Sequence, residues 1–304
     1  MRNASRLFML AAAAGLAACS SDDGKGTGDD TTVLPDNGGD DGLDGAIDLP
    51  PDIPADSDRD FPDRSDNPDD CIPPHALIIL DRTMSMHRET GGTPKWTIAL
   101  EAIATMMAGY RDTIWFGLEL FPRDHDDCVT LEERISGITA GNPNCENGDV
   151  VIEPGPATET DINTRLASTL LCRSTPVEKA VNVALEWFEA NPPDIPERKQ
   201  VAILITDGKE TCDGNAHCPT TTLLGMGIRT FAIGFGEETD NRDLSSVACA
   251  GGTATDTANC DDSDPTCVKA VSGDPPLFYL AENPESLQAA LDDIAALIEC
   301  GGLI

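Results

Sequence analysis

The sequence is poor in positive charge. It contains 20 lysine and arginine residues against 54 aspartate and glutamate residues, which gives a net charge of −34 at pH 7. A chain of this charge repels the phosphates of DNA and RNA, so nucleic acid is a poor partner. Cations and basic surfaces are the partners that the charge favours.

Long hydrophobic runs are also scarce. The longest covers residues 7–18 and follows Arg2 and Arg6. It is shorter than the roughly eighteen apolar residues that span a bilayer, and behind a positive start it is typical of an export signal. Familiar catalytic motifs are missing too: the sequence has no GxSxG, P-loop or HExxH, and its four histidines are scattered.

The end of the apolar run, Leu-Ala-Ala-Cys at residues 16–19, resembles a bacterial lipobox. The resemblance implies that residues 1–18 are a lipoprotein signal peptide and that Cys19 carries the lipid after cleavage. It also implies a lipid-anchored protein of the bacterial cell envelope, on its periplasmic or surface face, and Ser20 favours the outer membrane. An ordinary signal peptide, cut at a small residue, is the alternative.

Residues 19–70 have no hydrophobic period. They contain seventeen aspartates and no glutamate, with many glycines and prolines. Low hydrophobicity and high charge cannot offset the entropy of ordering, so we predict a disordered, Asp-rich tether. Residues 36–45 lack the terminal glutamate of an EF-hand loop, which favours a spacer over a calcium site.

From residue 71 to residue 304, short apolar runs alternate with amphipathic segments. This pattern predicts one α/β domain, a parallel sheet covered by helices. The predicted strands are 76–80, 113–121, 150–153, 200–206, 228–235 and 277–281, and helices are expected from Pro94, over 175–190 and over 284–298.

Oxygen-bearing side chains follow the ends of these elements. Asp81, Thr83 and Ser85 follow the first strand, Thr175 precedes a helix, and Asp207 follows strand 200–206. Ligands bind at the carboxyl ends of parallel strands, and an oxygen-only set with two carboxylates suits Mg²⁺, Mn²⁺ or Ca²⁺. Local roles stay open: Thr175 as a helix N-cap, Asp207 as a turn residue, and Asp81 as a cap of the next segment.

Residues 76–299 resemble a von Willebrand factor type A domain. Asp81-x-Thr83-x-Ser85, Thr175 and Asp207 match, in order, its metal-ion-dependent adhesion site. The resemblance implies a Rossmann-like fold with a mostly parallel central sheet and helices on both faces. It also implies a bound divalent cation, with magnesium favoured and manganese or calcium as alternatives.

The sequence departs from the family pattern at two positions. The first hydroxyl is usually serine and is Thr83 here, whose branched side chain restricts the loop. The next residue is usually glycine and is Met84 here, which predicts a strained or reshaped loop if that glycine serves a special backbone angle.

The predicted function is that of an envelope-anchored binding or adhesion protein. Its metal would hold a carboxylate of a protein or polysaccharide partner, and its N-terminal lipid would be its contact with the membrane. A structural envelope protein with a non-functional metal site is the alternative. A magnesium-dependent hydrolase is less favoured, because dehalogenase-type phosphatases need an aspartate where this chain has Thr83.

Ten cysteines remain when Cys19 is set aside, and an even number in an exported chain indicates a disulfide framework. The spacing of Cys212 and Cys218 fits no common zinc knuckle. The ends of type A domains often lie on the same side, which implies a bridge between Cys71 and Cys300. Two local bridges inside insertions are also expected, and they pair Cys128 with Cys145 and Cys260 with Cys267.

Overall fold

The computed structural model describes residues 72–139, 145–236 and 239–300. The predicted signal peptide, the lipidated Cys19, the tether and Cys71 lie outside the described residues, so the Cys71–Cys300 bridge stays a prediction. Within the described part of the chain, no helix has both the length and the hydropathy that crossing a bilayer requires.

A six-stranded sheet forms the centre of the fold, with the strand order β10-β7-β6-β1-β4-β5. Its strands are β1 His75–Asp81, β4 Trp115–Phe121, β5 Asp149–Ile152, β6 Gln200–Thr206, β7 Arg229–Phe235 and β10 Tyr279–Ala281. All neighbours are parallel except β4 and β5, which are antiparallel. Two short antiparallel pairs lie outside this sheet, β2 Glu89–Thr90 with β3 Thr93–Pro94 and β8 Cys260–Asp261 with β9 Lys269–Ala270.

Helices cover both faces of the sheet. They are α1 Lys95–Tyr110, α2 Leu131–Ile135, α3 Glu159–Ala167, α4 Val177–Ala190, α5 His217–Gly225, α6 Asn241–Ala250 and α7 Pro284–Ile298, with 3₁₀ helices at Met84–His87 and Thr257–Asn259. Apolar residues of α1, α3 and α7 form one core with one face of the sheet. Those of α4, α5 and α6 form a second core with the opposite face.

The central strands explain this two-sided core. Successive side chains of a strand point to opposite faces. Ile78 and Leu80 of β1 accordingly join the first core, and Leu77 and Ile79 join the second. Burial on both faces produces the continuous apolar runs that identified these strands, and the predicted α/β architecture is confirmed.

Some elements differ from the prediction. Helices α3, α5 and α6 were not predicted. Their segments carry threonine, serine or asparagine at several positions, which weakens both the helix propensity and the apolar period. The strand expected to start at residue 113 starts at Trp115, because the Thr113 N–H closes a turn onto the Tyr110 carbonyl at 3.0 Å.

Four disulfides link the described residues, and the two local pairings predicted above are wrong. The observed bridges are Cys128–Cys172, Cys145–Cys212, Cys218–Cys267 and Cys249–Cys260. Long-range contacts decide the pairing: Val129 and Leu171 form an isolated β-bridge, which places the first pair side by side. Three of the four bridges join residues at least 44 positions apart, so sequence proximity was a poor guide.

Candidate metal site

Two buried carboxylates meet at the carboxyl edge of the sheet. Asp81 is the last residue of β1, and Asp207 directly follows β6, the parallel neighbour of β1. Both residues have no solvent exposure. Parallel pairing brings the two strand ends together, and this puts two like charges in a site of low polarisability.

Hydrogen bonds hold Asp81 in place. Its Oδ1 accepts from the Thr83 N–H at 2.7 Å, and its Oδ2 accepts from the Thr206 hydroxyl at 2.6 Å. Burial, and then the charge of Asp207, nevertheless raise the pKa of Asp81 to about 7. Without a cation, the site therefore favours a proton on this carboxyl.

The loop after β1 brings two hydroxyls to the same place. The Thr83 and Ser85 oxygens lie 2.7 Å apart, and the Ser85 hydroxyl donates to Asp207 Oδ1 at 2.6 Å. Met84 begins the 3₁₀ helix Met84–His87, and its side chain packs against the first core. A 3₁₀ backbone suits any L residue, so the strain expected from methionine in place of glycine is not found.

Thr175 completes the oxygen set and does not cap the following helix. Its N–H donates to the Thr211 hydroxyl at 2.7 Å, and α4 has no side-chain N-cap bond. The Glu178 N–H in the first turn is satisfied by Glu210 Oε2 at 2.9 Å. The N-cap alternative for Thr175 is therefore wrong, and its hydroxyl is available to the site.

Gly208 shows how close the hydroxyls lie. A Cβ at this position would sit 3.4 Å from Thr175 Oγ1 and 3.8 Å from Ser85 Oγ. The structure thus brings all five predicted residues together.

The structure also rules out the simple turn role of Asp207, whose carboxylate is bound by side chains from distant segments. Asp81 does receive the nearby Thr83 N–H, as its predicted capping role requires.

Lys95 also belongs to the site, although it was not among the predicted residues. It is the first residue of α1, only 4% exposed, and its Nζ donates to Asp207 Oδ2 at 2.9 Å. Gly236, at φ +98°, leaves room for it, because a Cβ there would lie 2.8 Å from the ammonium nitrogen. A lysine in the first turn opposes the helix dipole, and this unfavourable position was the available signal.

The loop that carries Thr83 is fixed from outside the site. The Met84 N–H donates to the Cys172 carbonyl at 2.8 Å, and the Cys172 N–H donates to the Arg82 carbonyl at 3.0 Å. Cys172 is bridged to Cys128, and the buried Arg82 side chain binds Asp124 and the carbonyl of Pro122. These contacts fix the position of the loop that carries the two hydroxyls.

A comparison of the sequence with known families agrees with the architecture described above. A model of the von Willebrand factor type A domain matches residues 157–269. The fold is that of a von Willebrand factor type A (VWA) domain. The sequence is also 27% identical, over 197 residues, to the uncharacterized protein YwmD of Bacillus subtilis (strain 168), and this match covers 62% of the chain and 80% of YwmD.

Comparison with solved structures finds similar chains at low sequence identity. The conserved hypothetical protein BatB from Bacteroides thetaiotaomicron has a TM-score of 0.50 and 14% identity, over 72% of this chain and 96% of BatB. The proximal thread matrix protein 1 from the mussel byssus has a TM-score of 0.48 and 12% identity over 74% of this chain. This chain spans only 48% of the mussel protein.

The donor set of this domain fits a hard divalent cation. Its three hydroxyls and two carboxylates offer only oxygen, the donor that Mg²⁺, Mn²⁺ and Ca²⁺ prefer. One buried ammonium, that of Lys95, pairs with Asp207, and Lys95 is not among the groups that act on Asp81. This leaves one negative charge without a buried partner among the described residues, which a cation would compensate.

Proposed function

We propose that the VWA domain binds a divalent cation through Asp81, Thr83, Ser85, Thr175 and Asp207, and uses it to hold a partner. The observation that carries the proposal is the meeting of two fully buried carboxylates with three hydroxyls at one edge of the sheet. Buried charges need paired partners, and a divalent ion is the partner that this oxygen set selects.

Different residues hold the two carboxylates in place. Lys95 binds one oxygen of Asp207, and the other oxygen faces Ser85. Thr206 and the Thr83 N–H fix the plane of the Asp81 carboxylate. When bound, the ion supplies a position at which a carboxylate of a protein or polysaccharide replaces water. Because the donor set is arranged to hold a cation and not to attack a substrate, we propose a binding role and not an enzymatic one.

Metal-dependent stability tests this function. Millimolar Mg²⁺ should stabilise the wild-type protein, by about 2.7 kcal/mol when the ion is at a hundred times its dissociation constant. Asp81→Ala and Asp207→Ala should abolish the shift in melting temperature. Glu101→Ala is the matched control, because Glu101 is an exposed carboxylate on α1. A wild-type protein with no shift and no bound ion in calorimetry would contradict the proposal and favour a structural role.

We also propose that the domain acts at the bacterial envelope, anchored by lipid on Cys19. The lipobox-like sequence before Cys19 and the disulfides of the domain support this location, since such bonds persist in oxidising compartments. Expression in a bacterial host with a labelled fatty acid tests the anchor. Label in the wild-type protein and none in Cys19→Ser is expected, and equal labelling of both would contradict it.

A further inference from the structure

Two depressions of the surface meet at the metal site. Both are lined by Ser85, Thr175 and Thr211, so these three residues mark the ridge between them. One depression has a volume of about 290 Å³ and the other about 520 Å³. An extended ligand that crossed the ridge would therefore touch the metal site at its middle and enter a depression on either side.

Each depression carries a pair of basic side chains. Arg134 and Arg173 line the smaller one, and Arg88 and Lys209 line the larger one. The Nε of Arg134 is shielded from solvent and has no acceptor among the residues that the structure describes. Lys209 lies 3.9 Å from Asp240, a distance at which an exposed ion pair is weak.

This basic rim, Arg88, Arg134, Arg173 and Lys209, contrasts with the rest of the protein. The whole chain has only 20 basic residues against 54 acidic ones, yet the described residues that line the two depressions include no carboxylate. A neighbouring cavity, which Gly208 also lines, does include carboxylates in its lining, those of Glu210, Asp240 and Asp243. Positive side chains are thus concentrated where a partner would approach the metal.

We propose that the partner is an extended acidic peptide segment with several carboxylates. This inference rests on the proposed function: one carboxylate would bind at the metal site, and flanking carboxylates would pair with the basic rim on both sides. Arginine offers a planar fork of donors that matches a carboxylate, and charge complementarity selects partners and speeds association.

A peptide fits the rim better than an acidic polysaccharide does. The described residues that line the two depressions include no aromatic side chain, on which sugar rings commonly pack. The lining is rich in hydroxyls instead, among them Thr139, Ser174, Thr211 and Thr239. Hydroxyls both donate and accept hydrogen bonds, as the main chain of an extended peptide requires.

Calorimetric binding of synthetic ligands to the Mg²⁺-loaded protein tests the inference. The probes are a peptide with one aspartate, a peptide of equal length with three aspartates, and an oligogalacturonate with three carboxylates. The peptide with three aspartates should bind about tenfold tighter than the peptide with one, since each exposed ion pair adds a modest amount. Higher salt should remove most of this difference.

Charge-neutral variants of the rim locate the effect. Arg134→Gln with Arg173→Gln, and separately Arg88→Gln with Lys209→Gln, should each lower the preference for three aspartates several-fold. The control is Arg111→Gln with Lys199→Gln, which makes the same change of charge at the opposite end of the sheet. That control should keep the preference of the wild-type protein.

The outcomes separate this inference from the proposed function. A rim variant that keeps the full preference overturns the inference, as does tighter binding of oligogalacturonate than of the peptide with three aspartates. If peptide binding also survives a chelator and Mg²⁺ gives no thermal shift, the proposed function fails. In that case a preference lost in the rim variants would still uphold the acidic-peptide inference.

Discussion

Asp81 and Glu119 are fully buried carboxylic acids on adjacent strands, and their surroundings are opposite. Asp81 ends β1 and accepts two hydrogen bonds, from the Thr83 N–H and the Thr206 hydroxyl. Glu119 lies in the middle of β4, opposite Ile79, and neither of its oxygens has a partner among the described residues. Burial is the largest cause of a raised pKa in both side chains.

The difference teaches that burial does not by itself make a binding site. A lone acid such as Glu119 takes up a proton, because a neutral group costs less to bury than a charge. Asp81 faces Asp207, and hydroxyls surround the pair, so a cation is an alternative to the proton. Four experiments sharpen or break this contrast, and the largest expected effect comes first.

Removal of the buried ammonium should turn Asp207 into an unpaired acid like Glu119. Lys95→Met is expected to lower the metal-free stability by about 3–5 kcal/mol, the usual effect of breaking a buried ion pair. Saturating Mg²⁺ should recover much of this loss, because the cation then faces less positive charge. Urea unfolding with and without Mg²⁺ measures both effects, with the exposed Lys199→Met as control. An equal loss in both conditions would show that Lys95 has no connection with the metal site.

The metal-free protein should lose stability as the pH rises. The pKa of Asp81 is about 7 in the folded protein against a usual 3.8, so the folded state holds an extra proton between these values. Stability therefore falls from about pH 4 to pH 7 and levels off above it, by at most about 4 kcal/mol. Urea titrations across this range, in the wild type and in Asp81→Asn, measure the slope.

The Asp81→Asn variant should lack the part of the slope that Asp81 causes. Mg²⁺ should flatten the same part in the wild type, because the cation replaces the proton. An unchanged slope in the asparagine variant would mean that another group controls the pH dependence. Glu119 is the first candidate, since its pKa is also raised by burial and by the nearby Asp149.

Substitution of the unpaired acid should stabilise the protein without any effect on metal. Glutamine is neutral at every pH and needs no proton to be buried. At pH values above the usual glutamate pKa, the free energy of unfolding of Glu119→Gln should therefore exceed that of the wild type by about 1–2 kcal/mol. The gain grows as the pH rises, because the stability that protonated Glu119 provides is lost with increasing pH. Melting temperatures at several pH values, with calorimetric Mg²⁺ titration, test this. A changed Mg²⁺ affinity would contradict the separation of Glu119 from the metal site.

The same variants extend the contrast to binding. Glu119→Gln should bind the peptide with three aspartates as the wild type does, and Asp81→Asn should lose most of this affinity. The reason is that only Asp81 belongs to the set that would hold the metal. Calorimetry at one salt concentration suffices, and equal binding by both variants would place the peptide site away from Asp81.

Much of the fold was predictable because its signals are local. The runs at residues 76–80 and 200–206 are apolar without interruption, as strands buried on both faces must be, and β6 begins and ends where predicted. Helix α7 also begins and ends as predicted, where Pro284 starts a strongly periodic segment. Helices α3, α5 and α6 were missed, because threonines, serines and asparagines in their sequences obscure the period.

The sequence by itself determined which oxygens would meet, since Asp81 and Asp207 end apolar strands and parallel strand ends share one edge of the sheet. Their role as metal ligands stays a prediction. Only the tertiary structure decided the contacts between distant segments. Lys95 reaches Asp207 across 112 positions, Cys145 pairs with Cys212, and four basic residues from separate segments surround one site. No local pattern encodes such contacts, because they arise when the chain folds back and excludes water around both partners.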